Sequence, residues 1–165
     1  MKPIFSSIDQ ISIIVNDAFE TAKKWNDEFN IGPWIFLNFD EKNMTKQKFH
    51  GKDVKYAMKI ALCSFYDVEL ELIEPKDDNS SYAEFLKKHG QGIHHIAMKT
   101  PGNNFKGTCN FLDSKGFECV QSGADPNGED LAYYDLREEL GFIVELNDRD
   151  ESFVPVPPDD FYPPK

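Results

Sequence analysis

Four side chains in this sequence have the chemistry to hold and use a divalent metal ion. They are the glutamine of "DQISIIV" (Gln10), a glutamate of "VELELIEP" (Glu71), the second histidine of "GIHHIAMKT" (His95) and the glutamate of "GFIVELND" (Glu145). Two glutamates bring two negative charges, while glutamine and neutral imidazole add an oxygen and a nitrogen, so a bound M²⁺ is roughly charge-balanced. Oxygen-rich ligation with one imidazole and no thiolate suits six-coordinate Zn, Ni, Co or Mn. Positions left to water or substrate make Lewis-acid catalysis available.

Those residues act together only if their strands present them to one place. Alternate side chains of a strand point to opposite faces. In "HHIAM", His94, Ile96 and Met98 share one face, and His95, Ala97 and Lys99 share the other. Bulky apolar residues are what a strand shows to a packing helix, so His95 is the one expected to face a cavity. By the same division Gln10 and Ser12 oppose Ile11 and Ile13, Glu69 and Glu71 oppose Leu70 and Leu72, and Glu145 opposes Val144 and Leu146. Single residues of these types are more often solvated glutamates and structural histidines than ligands. Four matched positions are harder to reach by accident.

The match comes from an internal repeat. "AFETAKKWNDEF" carries Phe19, Ala22, Trp25 and Phe29 at helical spacing, with Asp17 placed to cap it. "PWIFLNF", "YAMKIALCSF" and "VELELIEP" read as strands, the first two separated by a polar stretch over 40–53 that reads as an exposed or functional loop. After a short helix, "SYAEFLKKHG", the order recurs: strand "GIHHIAMKT", helix "NNFKGTCNFLDSKG", strands "FECVQSG", "LAYYDLR" and "GFIVELND". Aligning the two β-α-β-β-β runs places Gln10 over His95 and Glu71 over Glu145, which predicts an approximate twofold. The expectation is one α+β domain over 1–165, with module one at about 6–75, a connecting helix at about 80–90 and module two at about 92–150. The proline-rich tail at 151–165 is expected to lie extended over the surface, outside the sheet.

Composition narrows the partners. The 165 residues are 40% hydrophobic, enough for one core, and the formal net charge is -11 with Arg137 and Arg149 as the arginines. That balance disfavours nucleic acid and anionic membranes, which need clustered positive charge. No apolar run approaches the ~20 residues that span a bilayer, and the N-terminus lacks a signal-peptide core. The expectation is a soluble cytoplasmic protein. Cys63, Cys109 and Cys119 show no CxxC spacing and read as reduced thiols. Lys42, Lys46, Lys48, Lys52 and Lys55 form a local basic run, read first as solvated and second as a contact for CoA-type phosphates. His50 and His89 receive no role.

At these residues the chain resembles the vicinal oxygen chelate superfamily, which includes glyoxalase I, methylmalonyl-CoA epimerase, extradiol dioxygenases and bleomycin-resistance proteins. The likeness spans about residues 6–150 and is densest in "ELIEPKDDNSSYAEFLKKHGQGIHHIA". It implies that each βαβββ module curls into a half-barrel and that the metal lies in the resulting cup, on Gln10, Glu71, His95 and Glu145. Glutamine at the first position, where the epimerase pattern has histidine, makes the set similar to eukaryotic-type glyoxalase I and disfavours an extradiol dioxygenase. The implied activity is that of a glyoxalase-I-like (lactoylglutathione lyase-like) lyase or isomerase acting on a thiohemiacetal or acyl thioester. It would move a proton next to a carbonyl through a metal-stabilised enediolate, with Glu145 as base and Glu71 as its counterpart. An epimerase and a non-catalytic, drug-resistance type binding protein are the alternatives, and a homodimer is implied. Two positions depart from the resemblance. Ile14 stands where glyoxalase I would have an arginine for the glutathione carboxylate, and Lys59 where the epimerases would have a second catalytic glutamate.

Overall fold

A computed structural model of the chain describes residues 3–149 and 154–164. Module one contains β1 (Ser7–Ile14), α1 (Ala18–Phe29), β2 (Trp34–Phe39), β3 (Thr45–Phe49), β4 (Lys52–Asp53), β5 (Met58–Phe65) and β6 (Val68–Pro75). Helix α2 (Ser81–His89) leads to module two: β7 (Gly92–Lys99), α3 (Phe105–Ser114), β8 (Cys119–Ala124), β9 (Asp130–Leu136), the short α4 (Arg137–Leu140) and β10 (Phe142–Asn147). A last strand, β11 (Asp160–Tyr162), lies in the tail. No helix among the described residues is long and apolar enough to cross a membrane.

Local chemistry sets the helix ends. Asp17 has extended backbone and its Oδ1 accepts from the Glu20 N–H at 2.9 Å, starting α1. Asn30 stops it in the left-handed region at φ 56°. The buried face of α1, Ala18 and Ala22, packs on Trp34 and Phe36, both removed from water. Each such aromatic contributes about 1.5–3 kcal/mol by burial. For α2, the buried Ser80 Oγ accepts from the Ala83 N–H at 3.2 Å. Ser80→Ala is expected to cost about 1 kcal/mol, a fall in Tm of about 2–4 °C. An unchanged melting curve would show that this cap contributes nothing.

Among the described residues the strands form one sheet in the order β11-β2-β5-β6-β1-β7-β10-β9-β8-β3-β4. Within it β2-β5-β6-β1 and β7-β10-β9-β8 repeat one pattern about the β1·β7 seam. β6 runs parallel to β1, β10 runs parallel to β7, and β1 and β7 are antiparallel. The two βαβββ units read from sequence are therefore the two halves of the sheet, and the fold is α+β.

The seam carries two bulges. β1 pairs Ile8 with Met98 and Gln10 with Ala97, which leaves Asp9 as an extra residue; Ser12 pairs with His95 and Ile13 with Ile93, which leaves His94 extra. Asp9 and His94 are equivalent under the repeat, and each immediately precedes a residue read as a ligand. A bulge twists its strand and redirects the side chains around it. Plain alternation at "HHIAM" therefore needs correcting at His94, although His95 keeps its own face.

Two further expectations change. The polar stretch over 40–53 is a hairpin, and its β3 pairs with β8 of module two, Lys48 opposite Ser122 and Phe49 opposite Gln121. Its inward residue is Gln47, which donates to the Tyr56 carbonyl at 2.8 Å, so no apolar alternation marks it as a strand. Lys46 pairs with Asp130 and Lys48 with Asp53, each at 2.6 Å. The tail also joins the sheet, because β11 pairs antiparallel with β2, Phe161 opposite Ile35. Residues 151–153 and 165 of the tail, and 150 before it, lie outside the described residues.

Candidate metal centre

β6, β7 and β10 bring Glu71, His95 and Glu145 to one point. Register explains it: Ser12 lies opposite Glu71 on one side of β1 and opposite His95 on the other, while Glu145 lies opposite Ala97. All three residues are buried, and one ligand atom from each lies within 4.8 Å of the others. His95 Nε2 is 2.8 Å from Glu145 Oε2 and 3.5 Å from Glu71 Oε2. The Glu145 contact is within ion-pair distance, yet Nε2 has no hydrogen-bond partner, so the carboxylate lies off the N–H direction.

That arrangement fits a divalent ion. Donors that share one ion at about 2.0–2.2 Å stand no more than about 4.4 Å apart, and the two His95–carboxylate distances here are 2.8 and 3.5 Å. A fully buried nitrogen without a hydrogen bond otherwise carries a desolvation cost. Charge agrees: burial works to lower the His95 pKa, but the Glu145 and Glu71 carboxylates outweigh it and raise it to about 9. The pair of carboxylates thus draws positive charge to this point, a proton on the imidazole or a metal beside it.

Neighbours orient the imidazole. His94 Nδ1 is 2.9 Å from His95 Nδ1. Burial, then the charge of His95, pushes His94 well below the usual histidine pKa, so His94 is neutral. A His95 that offers Nε2 to a metal carries its proton on Nδ1 and donates it to the neutral His94 Nδ1. Tyr133 packs edge-on against His95 with ring centroids 5.0 Å apart, and Tyr82 lies beside both histidines. Burial keeps both phenols un-ionised. Ser12 Oγ donates to Glu71 Oε2.

Gln10, the fourth residue read as a ligand, lines the same cavity. Its Nε2 donates to Glu69 Oε1 at 2.9 Å. The structure thus gathers Glu71, His95 and Glu145, with Gln10 on the wall of the same cavity and its Oε1 not taken up by that bond. The cavity holds about 300 Å³, with Leu37, Met58, Ile60 and Leu62 along an apolar wall and Glu69, Glu129 and Arg149 among its polar lining. Sequence reasoning assigned nothing to Ser12, Glu69, Tyr82, Glu129 or Arg149. Strand parity held a signal for two of them, since Ser12 shares a face with Gln10 and Glu69 with Glu71. Tyr133 faces the cup, while Tyr134 donates to Asp113 Oδ1 at 2.8 Å beside α3. Ile14 is fully buried, and Lys59 lies over the Phe19 and Phe36 rings, away from the cup. His50 is in an outer recess, with Nδ1 2.6 Å from Glu118 Oε1.

Glu129 gives a pH signature independent of any metal. Burial raises its pKa to about 7, against the lowering effect of Arg149, whose Nε is 3.1 Å from Glu129 Oε1. A carboxyl group with a raised folded-state pKa binds more protons in the folded protein. Its contribution is complete below about 4.5 and is lost as pH rises to about 7. In EDTA-treated protein, Glu129→Gln is therefore expected to gain stability relative to wild type as pH rises through that window. Parallel Tm–pH curves for the two proteins would contradict this.

A cup of two βαβββ modules with imidazole and carboxylates on its floor defines the vicinal oxygen chelate class. The chain belongs to the glyoxalase/bleomycin resistance protein/dioxygenase superfamily, whose family pattern matches residues 9–134. A curated relative, the uncharacterized protein YqjC of Bacillus subtilis (strain 168), is 37% identical over 83 residues, 48% of this chain. The match spans only 56% of that relative's length. Among solved structures, the hypothetical protein BH1468 of Bacillus halodurans C-125 is similar at TM-score 0.63 and 20% identity, over 90% of this chain and 98% of that one. Methylmalonyl-CoA epimerase of Mycobacterium tuberculosis is similar at TM-score 0.59 and 19% identity, over 89% and 90%. A variant of the Streptomyces coelicolor epimerase in complex with 2-nitronate-propionyl-CoA gives 0.61 and 21%, over 93% and 99%.

Proposed function

We propose that this protein is a metal-dependent enzyme that moves a proton at a carbon next to a carbonyl. The observation that carries the reading is the meeting of Glu71, His95 and Glu145 in a buried cup, with His95 Nε2 lacking a hydrogen bond. Glu71, His95 and Glu145 are the protein ligands, and Gln10 completes the set through its Oε1, which the Nε2 hydrogen bond to Glu69 leaves available. A Zn, Ni, Co or Mn ion there supplies Lewis-acid polarisation of the substrate oxygens. Glu145 is the base that takes the proton from carbon, and Glu71, its equivalent across the seam, delivers a different proton, taken up from solvent, on the other side. The apolar wall of Leu37, Met58, Ile60 and Leu62 keeps water from the carbanion-like carbon.

Return of a proton to the same carbon is epimerisation, and return to its neighbour is a glyoxalase-type isomerisation. The Gln/Glu/His/Glu donor set supports the glyoxalase-I-like reading. The buried Ile14 offers no anchor for a glutathione carboxylate, so the thiol part of the substrate differs from glutathione or is bound elsewhere. Epimerase action on an acyl-CoA is the second reading, supported by the likeness to methylmalonyl-CoA epimerases. Cytoplasmic location and a homodimer accompany either reading, resting on composition and family resemblance.

The test is bound-metal stoichiometry by elemental analysis on wild type and Glu145→Gln. The metal-loaded protein is then assayed with methylglyoxal plus thiols and with methylmalonyl-CoA. Near one equivalent per chain in wild type, weakened in the variant, with turnover in either assay, supports the proposal. No metal uptake under any loading condition overturns it and leaves a small-molecule binding protein.

A further inference from the structure

The C-terminal segment crosses from module two to module one and is pinned at both ends. Asn127, in the β8–β9 turn, donates through Nδ2 to the Val154 carbonyl at 2.6 Å. At the far end the Asp159 N–H donates to the Phe36 carbonyl at 2.9 Å. Asp159 Oδ2 accepts from the Asn38 backbone N–H at 2.8 Å and from its side chain at 3.0 Å. Beyond it β11 continues along β2, and the Tyr162 hydroxyl donates to Asp27 at 2.9 Å.

The residues between the pins read Pro-Val-Pro-Pro over 155–158. Three prolines have no N–H to leave unsatisfied over a cavity, and their fixed φ allows little movement aside. Pro155 and Val156 line the cavity that also contains Glu71 and Glu145. Val156 packs on the cluster containing Leu37, Phe39, Met44, Met58 and Ile60. The cavity, about 300 Å³, is at the lower end of the ~300–1,000 Å³ typical of small-molecule pockets.

We propose that Val156, held by this strap, is the specificity-determining residue of the cup, limiting the length of the apolar group that lies along the Leu37, Met58, Ile60 and Leu62 wall. The substrate class is a small molecule with neighbouring oxygens at its head and a short apolar chain. The proposal rests on the metal reading above, because the head must be anchored at Glu71, His95 and Glu145 for the chain to be measured against the strap.

The probes are straight-chain alkyl hydroxamates, from acetohydroxamate to decanohydroxamate, titrated calorimetrically into zinc-loaded protein. A hydroxamate presents two neighbouring oxygens to a metal and carries an adjustable tail. In wild type the affinity is expected to rise about fourfold per methylene until the tail reaches the strap, and then to stop rising. Val156→Ala is expected to move that limit to longer chains and Val156→Phe to shorter ones, with acetohydroxamate binding within about twofold in all three. Circular dichroism melts check that both variants are folded. Superimposable chain-length profiles in folded variants that bind acetohydroxamate overturn the strap and leave the metal site standing. Failure of every hydroxamate, acetohydroxamate included, to bind wild type overturns the metal reading and the strap with it.

Discussion

Glu145→Gln is expected to lower kcat for proton transfer by about 10²- to 10⁴-fold, the usual contribution of a positioned acid–base group. Glutamine keeps the size of the side chain and one oxygen donor but cannot accept a proton from carbon. The most direct measurement is exchange of the substrate's α-hydrogen with D2O followed by NMR, at metal concentrations that saturate both proteins. Wild type exchanges the hydrogen and the variant does not. Glu71→Gln separates the two carboxylates: exchange continues through Glu145 while conversion to product falls. Undiminished exchange in a metal-saturated Glu145→Gln protein would remove Glu145 as the base.

His95→Ala has the largest expected effect on stability, measured on EDTA-treated protein. His95 is fully buried beside Glu71 and Glu145. Its loss leaves two carboxylates close together without the imidazole beside them, and Arg149 and the Ser12 hydroxyl offset only part of their charge. Removing one partner of a buried pair costs about 3–5 kcal/mol, a fall in Tm of roughly 6–20 °C for a chain of this size. Adding Glu145→Gln to His95→Ala removes one of the stranded charges and is expected to recover part of that loss. A double variant no more stable than the single one would show that charge at this point is not what His95 offsets.

Much of the molecule was legible because its signals are local and repeated. The segment from Ala18 to Phe29 combines apolar spacing with an aspartate cap and forms a helix over those same residues. Parity on the strands placed Glu71, His95 and Glu145 on cup-facing positions, and a duplicated pattern needs only one seam to bring them together. What escaped depended on interactions that no short window contains. β3 has glutamine as its inward residue, and its partner strand lies about 75 residues downstream. The bulge at His94 is one extra residue in a run that still reads as continuous alternation. The Glu69 carboxylate that accepts from Gln10 Nε2 also went unread, although parity put it on the same face as Glu71. β11 is masked by flanking prolines, and it exists because Phe161 and Tyr162 meet a free strand on the other module.

The exchange of outer strands between the halves bears on how the protein behaves at high concentration. An open sheet edge is a row of unpaired amides and carbonyls that can recruit another chain and begin aggregation. The tail that follows module two covers the outer strand of module one with β11, and module one covers that of module two with β3. The sheet then terminates in strands of only three and two residues, the latter carrying Lys52 and Asp53. Each half protects the other from self-association, so either half expressed alone would present the long edge its partner now hides.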